Sequence, residues 1–189
     1  MDRILVISSS AQGQSLLGDL LKSAGNAMPV CACSGSEARR LLVDHDFELI
    51  IVNAPLSDEF GHELAISAAQ RSSSGIILLV KSEIADDVSA KVEDFGVMVV
   101  SKPIGKALFY QALKLIDASR KRLMGLQSEN NRLQSKIEEI RLVDRAKCAL
   151  IQYLDMTEPQ AHRYIAKQAM DLRTTRRNIA QNILQTYET

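Results

Sequence analysis

An alternation confined to the first 117 residues sets the limits on what this chain can fold into. Short apolar runs stand at Ile4–Ile7, Val30–Ala32, Leu49–Val52, Ile76–Val80 and Val97–Val100. Runs that are apolar throughout, rather than at every second residue, suit parallel strands covered on both faces. The segments between them carry apolar residues at helical spacing. Leu16, Leu17, Leu20 and Leu21 form one stripe, ended by Gly25. Ala38, Leu41 and Leu42 form a second, and Leu64, Ala65 and Ala68 a weaker third. Val88, Val92 and Phe95 form a fourth, stopped by Gly96. Five strands with a helix after each predict an α/β fold, a doubly wound five-stranded parallel sheet. Ligands on such folds sit beyond the carboxyl ends of the strands. That rule places Ser8, Ser9, Asn53, Val80 and Lys102 around one crevice.

From Lys106 onward no strand signal remains, and Gly125 is the sole glycine or proline before Pro159. The apolar positions settle into a heptad: Leu123, Asn130 and Ile137 on one seam position, Leu126, Leu133 and Ile140 on the other. A lone Asn in such a seam costs stability but fixes register. The pattern predicts a coiled-coil helix over 118–140 and a parallel homodimer; the competing arrangement is a single helix packed on its own domain with Asn130 exposed. A small three-helix all-α domain follows over 141–189. Val143, Ala146, Leu150 and Ile151 continue an apolar face that ends at Leu154. Thr157 and Gln160 form a capping box with Pro159 in the first turn. Ala161, Ile165 and Ala169 give the next stripe. Thr175 caps the last helix, where Ile179, Ile183 and Leu184 face inward.

The formal net charge is zero, but it is unevenly placed. Residues 1–117 carry 10 Lys/Arg and 15 Asp/Glu, and residues 118–189 carry 13 and 8. The basic half is the better partner for a polyanion. Cys31, Cys33 and Cys148 form no CxxC; Cys31 and Cys33 alternate on one strand face and read as reduced core fillers. His45, His62 and His162 are scattered, so no metal or cofactor is expected. No apolar stretch approaches the roughly 20 residues of a membrane span, and the opening apolar run is too short for a signal peptide. A cytoplasmic protein without membrane contact is expected.

Residues 1–117 resemble the receiver domain of two-component response regulators, a flavodoxin-like fold. Receivers place an acidic pair after the first strand, an Asp after the third, a Ser or Thr after the fourth and Lys-Pro after the fifth. Carboxylates hold a hard Mg²⁺, the Asp attacks phosphorus, and the Lys and hydroxyl read the new charge. Here "ILVISSS" puts Ser8 and Ser9 at the acidic pair, Asn53 replaces the nucleophile and Val80 the hydroxyl. Lys102-Pro103 survives in "VSKPI", with Gly61 eight residues past Asn53. Asp58 and Glu59 are wrongly spaced to substitute. The site reads as a degenerate phosphorylation site in a pseudo-receiver. Lys102 either donates to the Asn53 carbonyl and locks the crevice, or caps the strand end while Pro103 sets the turn. The resemblance implies a Lys-Pro peptide that is often cis.

The segment 136–184 resembles the ANTAR domain, an RNA-binding module of transcription antitermination regulators. Its pieces are Leu142-Val143, Arg145-Ala146-Lys147, Leu150, Thr157-Glu158, Ala161-His162, Gln168-Ala169-Met170-Asp171, Arg173, Ile179-Ala180 and Ile183-Leu184, in this order. One departure is Asp155, where the family usually has Gly. The resemblance implies a regulator, not an enzyme, that binds paired hairpin loops of leader RNA as a dimer and favours an antiterminator. The candidate RNA contacts are Arg145, Lys147, His162, Arg163, Tyr164, Lys167, Arg173, Arg176 and Arg177, because Arg and Lys serve phosphates and rings serve unpaired bases. A purely structural account instead pairs Lys147 with Asp144 and puts Met170, or Tyr164, in the core. Rival functions are a DNA-binding response regulator with a helix-turn-helix, disfavoured because "DLRTTRR" lacks the tight Gly turn, and a protein-interaction adaptor without nucleic acid. With no working phosphorylation site, control falls to a regulatory protein partner, a ligand or abundance.

Overall fold

The computed structural model describes residues 1–187. Five strands, β1 (Ile4–Ile7), β2 (Val30–Ala32), β3 (Leu49–Asn53), β4 (Gly75–Lys81) and β5 (Met98–Lys102), form one parallel sheet in the order β2-β1-β3-β4-β5. The helices are α1 (Ala11–Ser23), α2 (Gly35–Asp44), α3 (His62–Arg71), α4 (Ala85–Val92), α5 (Lys106–Leu154), α6 (Glu158–Asp171) and α7 (Arg176–Tyr187). The predicted doubly wound five-stranded sheet, long helix and helical tail are all present. Two compact units result, Met1–Gly125 and the chain from Leu126 onward. No described helix is long and apolar enough to cross a membrane.

In the first unit, successive strand residues feed opposite layers. Leu5, Ile7, Ile50, Val52, Ile76, Leu78 and Val80 pack with Ala38 of α2, Leu64, Ala65 and Ala68 of α3, and Val88 and Val92 of α4. Ile4, Val6, Leu49, Ile51, Ile77, Leu79 and Val100 pack with Leu17, Leu20 and Leu21 of α1 and Phe109, Ala112, Leu113 and Ile116 of α5. Both faces are therefore covered, which is why the central strands read as unbroken apolar runs. Burying each such Leu or Ile is worth about 1.5–3 kcal/mol.

The edge strand departs from expectation. Cys31 and Cys33 are exposed, and Ala32 between them is the inward residue. Alternation put the two cysteines on one face correctly, but β2 has a neighbour on one side alone, and that face looks to solvent. Leu16 and Phe95 also lie outside the core, 53% and 40% exposed, because α1 buries its stripe at Leu17, Leu20 and Leu21 and α4 buries its own at Val88 and Val92.

Past Ile116, α5 leaves the core of the first unit. Leu123, Leu126, Leu133, Ile137 and Ile140 are all at least half exposed, and Asn130 is exposed among them. In the second unit, Ala146, Ala149 and Leu150 of α5 pack with Ala161, Ile165 and Ala169 of α6 and Ile179, Ala180, Ile183 and Leu184 of α7. Small residues let the three helices approach closely. Gln160 Oε1 accepts from Thr157 N at 2.8 Å at the start of α6, with Pro159 in the first turn. Asn178 N donates to Thr175 Oγ1 at 3.2 Å at the start of α7. The turns on either side of α6 each use a left-handed residue that is not glycine, Asp155 at φ 50° and Arg173 at φ 48°. Met170 is not a core residue. It is 78% exposed, one step round the helix from the inward Ala161, Ile165 and Ala169.

Candidate functional site

The carboxyl ends of β1, β3 and β5 bring three of the five crevice candidates into one hydrogen-bonded chain. Lys102 Nζ donates to Asn53 Oδ1 at 3.0 Å and also to the Ala54 carbonyl. An ammonium has no acceptor, so the amide must turn its oxygen to Lys102. Its Nδ2 then donates to Ser8 Oγ at 2.9 Å. Ser8 is fully buried and donates onward to the Ser10 carbonyl at 3.3 Å. Lys102 thus makes the Asn53 contact and caps the loop after β3 at once. Burial, and then the neighbouring Lys81, lower its pKa. The Lys102-Pro103 peptide is cis, as is Ala54-Pro55.

The other two candidates stand apart. Ser9 is exposed and donates to the Pro55 carbonyl at 3.4 Å. Val80 is buried in the apolar layer and pairs with Ser101 of β5. A hydroxyl does lie near this end of β4, at Ser82, whose Oγ donates to the Lys102 carbonyl at 2.7 Å. Its position just past the apolar run is the signal that a reading of the strand alone passes over.

The crevice is also closed from above. Ser10 caps α1 by accepting from Gly13 N at 2.9 Å, which brings the first turn down on the chain of side chains. A Cβ at Gly13 would lie 2.6 Å from Ser8 Oγ and 2.7 Å from Asn53 Nδ2. A receiver's Mg²⁺ does not fit these residues. It needs oxygen ligands of high charge, whereas Ser8, Ser9 and Asn53 are neutral and Asn53 turns an N–H, not an oxygen, toward Ser8. Among the described residues no group of three or more His, Cys, Asp and Glu could hold a metal ion.

The two carboxylates beyond Asn53 serve the fold. Asp58 accepts from Gly35 N at 2.8 Å, Ser36 N at 2.9 Å and Ser36 Oγ at 2.7 Å, so it satisfies the free N–H groups that open α2. Those bonds, led by the Ser36 hydroxyl, lower its pKa from 3.8 to about 2. Glu59 forms a two-point salt bridge with Arg39 on the same helix.

In the second unit the nine RNA candidates separate by their partners. Lys147 is held by Asp144 at 2.8 Å and Glu158 at 3.0 Å, which ties α5 to the start of α6. These two carboxylates, Asp144 first, raise its pKa. Arg177 lies 3.6 Å from Glu138. Arg145 is exposed on α5 and Arg173 lies in the α6–α7 turn. Arg163, Tyr164 and Lys167 share one face of α6 and line a shallow depression with the Leu154–Met156 turn. His162 and Arg176 line another with Lys147, Glu139 and Asp144. Sequence reasoning missed Tyr153, half exposed on α5 and stacked on Tyr187 at 5.4 Å between ring centres. It stands next to Leu154, where the apolar face of α5 ends, and its stacking partner is 34 residues further on, so no local pattern marks it.

The solved structures similar to the first unit include receiver domains. A response regulator receiver domain protein from Clostridium thermocellum superposes with a TM-score of 0.59 at 17% identity, over 65% of this chain and 99% of that one. Response regulator protein TrrA from Thermotoga maritima, solved with Mg²⁺ and BeF, gives 0.54 at 24% identity, over 61% and 99%. The ANTAR domain family matches residues 131–184. The chain thus joins a receiver fold in its first unit to a match with the ANTAR domain family in its second. It is similar over nearly its full length to Transcriptional regulatory protein PdtaR of Mycobacterium tuberculosis, at 29% identity over 188 residues, 99% of this chain and 91% of that protein.

Proposed function

We propose that this protein is a transcription antitermination regulator that binds hairpin loops of leader RNA as a dimer through its ANTAR domain. The supporting observation is the match over 131–184 on a folded three-helix module that displays Arg163, Lys167, Arg173 and Arg176 without a carboxylate partner among the described residues. Unpaired surface cations bind a polyanion without first breaking internal ion pairs, and they release counterions in doing so. The similarity to a transcriptional regulatory protein supports the same reading.

The receiver domain acts in this reading as a phosphorylation-incompetent module. Asn53 is a neutral amide engaged on both sides, by Lys102 and by Ser8, and offers no oxyanion to attack phosphorus. Its control comes from a protein partner, a ligand or the amount of protein present. Dimerisation uses the exposed seam of Leu123, Leu126, Leu133, Ile137 and Ile140, with Asn130 setting register.

The test is filter binding of hairpins from the leader of candidate operons against duplex DNA of equal length and charge. Preference for the looped RNA, with an affinity that falls as salt rises, supports the proposal. Equal or better binding to duplex DNA overturns it in favour of a DNA-binding regulator.

A further inference from the structure

We infer that the face of α6 carrying Arg163, Tyr164 and Lys167 is the base-reading surface of the module, with Tyr164 stacking on an unpaired nucleobase and the two cations holding its flanking phosphates. This rests on the RNA-binding reading above and makes it specific.

Three observations converge on this face. Tyr164 is 39% exposed, and its hydroxyl has no partner among the described residues, so the ring is neither core nor anchored. Arg163 and Lys167 lie one step before it and three after it, which puts all three on one side of the helix. Arg163 spends its Nε on the Pro159 carbonyl at 3.2 Å, which fixes the side chain and leaves the rest of the guanidinium free. Beside the ring, Leu154 and Met156 supply an apolar wall from the preceding turn, with Leu154 itself 44% exposed. Asp155 is the single carboxylate of this depression. A flat ring, an apolar wall and two free cations match the parts of an unstacked nucleotide: base face, base edge and phosphate.

The neighbouring depression lacks this set. There Lys147 is neutralised by Asp144 and Glu158, Glu139 adds another negative charge, and the ring present is that of His162. Lys147 and Arg177 fasten the module together, whereas Arg163 and Lys167 are at liberty to meet a ligand.

The experiment uses the full chain and two probes: a pool of RNA hairpins with randomised loops, and blunt RNA duplexes of the same stem length. Tyr164→Ala is expected to weaken loop binding roughly ten- to a hundred-fold, the scale of one lost stacked base, and to leave duplex binding and the salt slope unchanged. Tyr164→Phe keeps the affinity. Tyr164→Leu, which preserves bulk without a π face, behaves like Tyr164→Ala and answers for any packing loss. Arg163→Gln and Lys167→Gln each reduce the slope of log affinity against log salt by about 0.7–0.9, whereas Lys22→Gln on the first unit leaves it unchanged. Loop preference surviving in Tyr164→Ala overturns this inference alone, as does an unaltered slope in both cation variants. A wild-type protein that binds neither probe overturns the RNA-binding reading and this inference with it.

Discussion

Lys102 Nζ lies 3.0 Å from Oδ1 of Asn53, and this contact fixes the amide so that its other end serves Ser8. Asn53, at the carboxyl end of β3, is therefore a bridge between a lysine and a buried hydroxyl.

Phosphorylation is the first consequence to check. Incubated with acetyl phosphate and Mg²⁺, the protein is expected to gain no phosphoryl group by intact mass. Asn53→Asp should stay unlabelled too, because Ser8 and Ser9 still bring no carboxylate for the metal. Labelling of the wild type, removed by Asn53→Ala, would refute the pseudo-receiver reading.

Gly13 tests the closure of the crevice. In an open helix Gly→Ala stabilises by about 1 kcal/mol. Here the new methyl meets Ser8 Oγ and Asn53 Nδ2, both held by other bonds, and overpacking of that kind costs about 1–3 kcal/mol. The clash should win, so Gly13→Ala lowers the urea midpoint of the first unit. A raised midpoint would mean that the crevice yields freely.

Acid stability should report on Asp58. Its folded pKa, about 2, lies below the ordinary 3.8, so its contribution is complete above pH 3.8 and disappears as pH falls toward about 2. Asp58→Ala is expected to lower Tm at neutral pH. The gap between variant and wild type should narrow through that window and close near its lower end. A gap that is constant with pH would assign the effect to something other than the charge.

The seam is tested by size. Leu126→Arg with Leu133→Arg should convert a dimer to a monomer in light scattering, without shifting the melting of the receiver unit. Asn130→Leu should raise dimer stability while loosening register and oligomeric state. A wild type that is monomeric at tens of micromolar would remove the coiled coil from the account.

The sheet and its helices were legible because every central strand is buried on both faces and each helix carries a stripe. The three inward residues of α6 and those of α7 were legible for the same reason. Cys31 and Cys33 were misplaced because alternation tells which residues share a face and not which face is wet. Met170 was misplaced because its apolar character suggested burial, although its step round α6 excludes it. The role of Asp58 was hidden, since a carboxylate that caps a helix 22 residues back leaves no local pattern. Half of Lys147's pairing was visible in the sequence: Asp144 stands at helical spacing, whereas Glu158 arrives only when the chain has turned.

Within the second unit, α5 changes the side on which it is greasy. Ala146, at the centre of the three-helix core, stands six residues past Ile140, roughly 120° around the helix. If two copies join along the Leu126–Leu133–Ile140 flank, each three-helix core therefore lies off that seam, on the outward side of its own helix. The seam and the core take no residue from each other, so one helix can serve a second copy and its own bundle at the same time.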